Sequence, residues 1–242
     1  MNMLQTKTVG QMVTQNVKAA HVFKKYNIDF CCGGGISIQK ACDRANVSFE
    51  DVAQDLQNLD HIKDRATDYN NWELDFLIDH IINIHHRYVE ESIPMLVQYG
   101  TKVAKVHGDG HPELLEIQAL FAMVATELSG HLRKEELILF PFIKKMLQSK
   151  TENTELAHPQ FEKVDNPIKM MEAEHEEAGE ILRKIAKLSN NYTPPEGACN
   201  TYRAFFSKLD EFEQDLHHHI HLENNILFPK ALQLEKTIQY SE

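Results

Sequence analysis

The chain has 242 residues, 42% of them hydrophobic, and a formal net charge of −11. That is apolar material for one medium domain and a smaller one, and the acidity excludes sequence-independent nucleic-acid binding, which needs a basic surface to replace phosphate counterions. No apolar run of signal-peptide length opens the chain and no stretch nears the ~18 apolar residues of a membrane span, so a cytoplasmic protein without a membrane partner is expected, its four cysteines reduced thiols.

Residues 1–62 read as a small domain of short helices. Asn16 is a candidate cap for a segment carrying Ala19, Ala20, Phe23 and Tyr26; Ser37 caps a helix through Ala45; Ser48 with Asp51 resembles a capping box before Val52, Leu56 and Leu59. Between them Cys31-Cys32 precedes Gly33-Gly34-Gly35, where three glycines end any helix and permit a tight backbone path. The charged stretch His61–Asn71 has little apolar content and marks the boundary to a second domain, 72–242.

From Trp72 onward the pattern is helical in four long segments. The first runs over 72–99 with a kink at Pro94; His111-Pro112 opens the second, which lasts to 147 with a break or kink at Pro141. Asn166-Pro167 opens the third, which fades near Ser189, and Thr193-Pro194 repeats that start signal for the fourth, ending near Leu234. The fold class is therefore all-α, an up-down four-helix bundle preceded by a small helical domain.

The second and fourth segments carry the same cassette. His131-Leu-Arg-Lys-Glu135-Glu-Leu-Ile-Leu-Phe-Pro141 returns as His219-Ile-His-Leu-Glu223-Asn-Asn-Ile-Leu-Phe-Pro229. Histidine and glutamate four apart stand one turn above each other, so both reach one point in a bundle interior. His86 precedes His131 by nearly the interval that separates His175 from His219, so each half reads as a helix with one histidine followed by a helix with HxxxE. Four histidines and two glutamates on facing helices make a plausible ligand set for two metal ions.

Phase tests whether these groups face inward. Phe205, Leu209, Phe212, Leu216, His219, Glu223 and Leu227 form one stripe of the fourth helix. Ile117, Leu120, Val124, Leu128, His131, Glu135, Ile138 and Phe142 form that of the second, and Ile168, Met171, His175, Ala178, Leu182 and Ile185 that of the third. A buried glutamate among hydrophobes calls for a cation. On the first helix His85 and His86 both lie on defensible stripes, and only the half-repeat spacing leans towards His86. His217, His218 and His221 point away from the stripe, as surface residues or supports. Glu127 and Glu174 lie beside the inward stripes, where each is either an ordinary exposed residue or a carboxylate that orients a ligand or carries protons or metal.

Imidazole and carboxylate without thiolate suit iron, manganese or zinc. Glu135 and Glu223 are expected to bridge, with two histidines per ion and a solvent-derived bridge, leaving room for a small diatomic ligand; that opening has a purpose if the metal is iron, which binds oxygen or nitric oxide.

At these residues the bundle resembles a hemerythrin-like domain. The whole chain, from Asp29-Phe30-Cys31-Cys32-Gly33-Gly34 through Glu174-His175-Glu176-Glu177-Ala178-Gly179-Glu180 to Leu222-Glu223-Asn224-Asn225-Ile226-Leu227-Phe228-Pro229, resembles the bacterial repair-of-iron-centres proteins. The resemblance implies a cytoplasmic, often dimeric stress-response protein with two non-haem iron ions, oxo-bridged, that restores iron-sulfur proteins damaged by nitrosative or oxidative stress, by donating iron or reacting with nitric oxide. It implies the ligand set His86, His131, Glu135, His175, His219 and Glu223, choosing His86 over His85, and a part in the activity for Cys31 and Cys32. Cys42 and Cys199 read as structural. Catalysis and stoichiometric iron donation both stay open. The competing readings are an oxygen- or nitric-oxide-binding hemerythrin-like sensor or carrier, whose carrier form has HxxxxD in the last helix, and a ferritin-like oxidase, whose sites use ExxH pairs.

Overall fold

The computed structural model describes residues 3–59 and 68–241. Among these the secondary structure is helical apart from two isolated β-bridges, Thr8 with Ser37 and Leu156 with Tyr240. No helix among them is long and apolar enough to cross a membrane.

Five short helices come first: α1 (Met3–Thr6), α2 (Val9–Gln15), α3 (Ala19–Lys25), α4 (Ile38–Ala45) and α5 (Phe49–Gln57). Ser37 accepts the Lys40 N–H and Ser48 the Asp51 N–H, the caps expected of them. Asn16 instead accepts the Lys18 N–H just ahead of α3. α2, for which the sequence reading named no cap, forms behind a reciprocal capping box of Thr8 and Gln11. The part of the His61–Asn71 boundary up to residue 67 lies outside the described residues, as does the end of the 1–62 domain; from Asp68 the chain resumes and Tyr69–Asn71 forms one 3₁₀ turn.

Four long helical runs follow, each except the third broken by a π segment, in which the hydrogen-bond register widens from i−4 to i−5. The first is α6 (Leu74–His80), a π segment Ile81–His86 and α7 (Arg87–His107). Its irregularity lies at 81–86 and not at the expected Pro94, which stays inside α7; Pro94 and Glu90, whose carbonyl loses its donor, are both on the exposed face, where the lost bond costs least because the carbonyl is open to solvent. The second run is α8 (Glu113–Lys134), a π segment Glu135–Leu139 and α9 (Phe140–Glu152); the third is α10 (Asp165–Leu188). The fourth is α11 (Asn200–Leu222), a π segment Glu223–Leu227 and α12 (Phe228–Glu235). It begins later than Thr193-Pro194 predicts, because Gly197 at φ 81° turns the chain before Cys199 can lead into the helix.

The break expected at Pro141 is this second π segment. Proline cannot donate to the carbonyl four residues back, and the preceding amide, Phe140, reaches Glu135 five residues back; Phe228 ahead of Pro229 reaches Glu223 in the same way. One residue per π segment is thus added to the turn, which advances the phase beyond it. Ile138, expected on the inward stripe, is half exposed, and Leu139 is buried in its place.

α8 packs against α7 and α10, and α11 closes the bundle against α7 and α10. The core is divided. One apolar cluster joins the short amino-terminal helices to one end of the bundle, through Phe23, Phe30 and Val52 with Leu182, Phe205 and Leu216. The other fills the opposite end around Ile78, Phe140, Ile143 and Phe228. Between the two lies a buried layer of histidines and glutamates.

Candidate metal centre

Six side chains from all four runs make this layer. His86 comes from the end of the first π segment, His131 from α8, Glu135 and Glu223 from the first positions of the second and third π segments, His175 from α10 and His219 from α11. All are buried, the glutamates completely. Their ligand atoms fall into two groups, His86, Glu135, His219, Glu223 and His131, Glu135, His175, Glu223, with all atoms within 4.8 Å of one another in each group. Both glutamates belong to both groups. Glu135 Oε2 lies 3.3 Å from His86 Nε2 and 3.4 Å from His131 Nε2; Glu223 Oε1 lies 3.0 Å from His219 Nε2 and Oε2 3.2 Å from His175 Nε2.

The donor set fits a cation. Both oxygens of Glu135, Oε2 of Glu223 and Nε2 of His86 are buried without a hydrogen-bond partner, and the Nε2 atoms of His131 and His175 face each other at 3.0 Å. Buried lone pairs converging without protons to share are costly unless a positive charge sits among them. Without metal, protons meet that need in part. Burial works against charge on His86, but Glu135 and Glu223 outweigh it and raise the ring to about 10; His131 is raised to about 9 by the same contest. Glu135 is held below its ordinary range and Glu223 well below it, against the cost of burial, by the facing imidazoles. Two carboxylates and four imidazoles without sulfur suit iron, manganese or zinc.

Three of the four rings are held from behind. His86 Nδ1 lies 2.7 Å from Glu136, His131 Nδ1 2.9 Å from Glu174, and His175 Nδ1 2.9 Å from Asn224. Such contacts fix the tautomer and turn Nε2 inward. Glu136 and Asn224 follow the glutamates of their cassettes and were missed by sequence reasoning; being an acid in one copy and an amide in the other, they are not visible as a repeat. The repeated phenylalanine has a matching place, since Phe140 stacks on His86 and Phe228 on His175. The internal symmetry thus reaches from the ligands to the residues that support them.

Of the other candidate site residues, Glu174 joins His131 to Lys134 at the rim. Glu127 is exposed on α8 and is no lining of the interior: the buried face of that helix, Phe121, Val124, Ala125 and Leu128, lies to the other side of His131. His85 is buried beside the cluster, its Nδ1 3.0 Å from Asp215 and its ring stacked on His219. His217, His218 and His221 face the other way, into a cavity of about 280 Å³ shared with Phe30 and Tyr69. Cys31 and Cys32 stand outside both groups, and all four cysteines are free thiols. Cys42 is buried, and Cys199 is exposed beside His107, 3.3 Å from its Nε2.

Four helices that bring histidines and two shared glutamates to one buried layer define a bundle of the hemerythrin type. Residues 77–231 match the hemerythrin HHE cation binding domain, and residues 5–60 match a domain of unknown function, DUF542. The chain is 38% identical over 216 residues to a probable iron-sulfur cluster repair protein of Haemophilus influenzae, covering 88% of this chain and 91% of that one. It is 36% identical over 231 residues to the iron-sulfur cluster repair protein YtfE of Yersinia pseudotuberculosis serotype O:1b, covering 96% and 99%, and 37% identical over 224 residues to the YtfE of Shigella boydii serotype 4, covering 93% and 96%. The chain belongs to the family of these iron-sulfur cluster repair proteins.

Proposed function

We propose that the chain repairs iron-sulfur clusters damaged by nitrosative or oxidative stress, holding two non-haem iron ions on His86, His131, Glu135, His175, His219 and Glu223. The observation that carries this reading is the sharing of Glu135 and Glu223 by both ligand groups, which would let each carboxylate serve both ions of a pair. When bound, such a pair supplies reversible one-electron chemistry and affinity for nitric oxide or oxygen. The protein's own residues do the rest. Glu136, Glu174 and Asn224 hold three rings in the ligating tautomer, and the apolar clusters on either side of the layer keep water from the buried carboxylates. Glu174, bonded to both His131 and rim-lying Lys134, is the carboxylate we place on the route by which iron leaves; Glu127, facing solvent, is left out of it.

The test is anaerobic addition of nitric oxide to the reduced, iron-loaded protein, followed by a recipient whose iron-sulfur cluster has been damaged by nitric oxide. Iron loss and nitrous oxide are measured together with the recipient's visible absorption. Iron loss with recovery of that absorption identifies donation, and nitrous oxide without iron loss identifies nitric oxide chemistry. If neither occurs, the proposed function is wrong.

A further inference from the structure

The double-cysteine loop has a third polar member that its sequence motif does not advertise. The backbone N–H groups of Cys31 and Cys32 both donate to Asp29 Oδ1, at 2.9 and 3.1 Å, which folds the loop so that the two sulfurs and the carboxylate converge. The sulfurs are 3.8 Å apart, and Cys31 Sγ is 3.3 Å from Asp29 Oδ1. A tetrahedral ion with metal–sulfur bonds of about 2.3 Å places its two sulfurs about 3.8 Å apart, and with a metal–oxygen bond of about 2.1 Å places sulfur and oxygen about 3.6 Å apart. Two edges of a coordination tetrahedron are therefore present, the second within a few tenths of an ångström. Two thiols alone leave a metal site incomplete; Asp29 supplies the third ligand.

The surroundings hold the carboxylate in a ligating pose. Arg183 Nη1 lies 3.2 Å from Asp29 Oδ2, the oxygen turned away from the sulfurs, and so fixes the carboxylate without occupying its ligating side. Two thiolates and a carboxylate carry three negative charges, which a divalent ion and the Arg183 guanidinium together balance. Without an ion the Cys31 thiol is pushed well above its ordinary range by its contact with the Cys32 sulfur, by burial and by the Asp29 charge. Cys31 is buried, whereas Asp29 and Cys32 are partly open, and Asp29 and Cys31 border a groove of about 760 Å³ that also takes in Lys24, Arg183, Lys187 and His217. Three protein ligands with the fourth side open is the pattern of a site that exchanges its ion or accepts a ligand, as opposed to a closed structural site.

We propose that Asp29, Cys31 and Cys32 form a mononuclear site for a thiophilic divalent cation, Fe²⁺ or Zn²⁺, separate from the histidine–glutamate cluster and open to the groove. Its place on the bundle is fixed by α10: a side chain at Gly179, one turn beyond His175, would lie 3.8 Å from Cys32 Sγ, and Arg183 one turn further holds Asp29. If the repair reading holds, on which this role alone depends, the site gives a single ion a stopping place about one to two helical turns from the di-metal layer.

The experiment adds Co²⁺ to the reduced, iron-loaded, full-length chain without oxygen and follows the near-ultraviolet thiolate-to-cobalt charge-transfer band. One cobalt per chain is expected, with the band lost in Cys31→Ser, Cys32→Ser protein and the affinity lowered at least about tenfold in Asp29→Asn, which keeps the acceptor for both loop N–H groups. Bundle iron stays at its parent level in both variants, and circular dichroism checks that both remain folded. Absence of the band in the parent chain, or an unaltered affinity in Asp29→Asn, overturns the proposal. Failure of the repair reading shows differently, as a damaged recipient that does not recover while the cobalt band is intact.

Discussion

Because Glu223 stands in both ligand groups and His175 in only one, their replacement by glutamine separates a shared bridge from a terminal ligand. Glu223→Gln preserves shape and removes the charge that lies 3.0 Å from His219 and 3.2 Å from His175, so both ions lose a ligand and half of the anionic charge between them. His175→Gln weakens one ion and leaves the other group, with His86 and His219, complete. Binding at a free concentration of about 100 times Kd stabilises a protein by about 2.7 kcal/mol per ion, so two ions contribute about 5 kcal/mol. At about 2–4 °C per kcal/mol for a chain of this size, Glu223→Gln should lower the loaded Tm by about 10–20 °C and His175→Gln by about half of that. Metal analysis should find close to no ion in the first variant and about one in the second. The metal-free proteins provide the control: against the cost of burial the facing imidazoles hold Glu223 ionised well below its ordinary range, so metal-free Glu223→Gln loses that pairing and should melt below the metal-free parent, and the contribution of the ions is the further drop seen only in the loaded proteins. Equal ion losses in the two variants, or a Tm difference between Glu223→Gln and the parent that is no larger with metal than without it, would refute the bridging argument.

Three further outcomes are expected. Glu136→Gln, Glu174→Gln and Asn224→Ala should each keep two ions at saturation but weaken binding about 10–100-fold, read by competition with a chelator. His217→Ala and His218→Ala should leave iron content unchanged by metal analysis, since both rings face the cavity near Phe30 and Tyr69 and not the cluster. Glu213, buried and raised from 4.5 to about 6 chiefly by that burial, keeps its proton more tightly folded than unfolded, so its contribution falls as pH rises from about 4.5 and the cost is complete above about 6. Glu213→Gln should then stabilise the protein by about 2 kcal/mol at pH 7 and by nothing below pH 4, measured by urea unfolding at both.

How much of this was legible follows from the kind of signal each residue carries. His131, Glu135, His175, His219 and Glu223 sit on apolar stripes of constant phase, and phase is written in the sequence wherever an α-helix stays regular. Ile138 was misplaced because a π turn changes the hydrogen-bond register without changing composition; the proline after each cassette is its only trace. His85 and His86 could not be separated by periodicity because the first π segment runs through both and both are buried. The capping box of Thr8 and Gln11 was present to be read, but a seven-residue helix gives it little apolar pattern for support. Asp29 escaped for a different reason: its partnership with Cys31 and Cys32 depends on a turn that the three glycines permit but do not specify. Glu127 shows the limit of spacing, since one turn before His131 is near the inward face and still outside it.

The third π segment gives three consecutive side chains three different destinations. Glu223 enters the buried layer, Asn224 reaches across to His175 on α10, and Asn225 donates to the carbonyl of Cys31, 3.3 Å away, in the amino-terminal loop. A side chain at Gly10, on α2, would come within 2.3 Å of Asn225 Oδ1, so the amide is wedged between the two halves of the molecule. The bridging carboxylate and the cysteine loop therefore hang from one short stretch of backbone, like two weights on the same beam. A shift of that stretch large enough to release the ion must pull on the loop as well, and hydrogen exchange at residues 29–35 is where the tension would be felt.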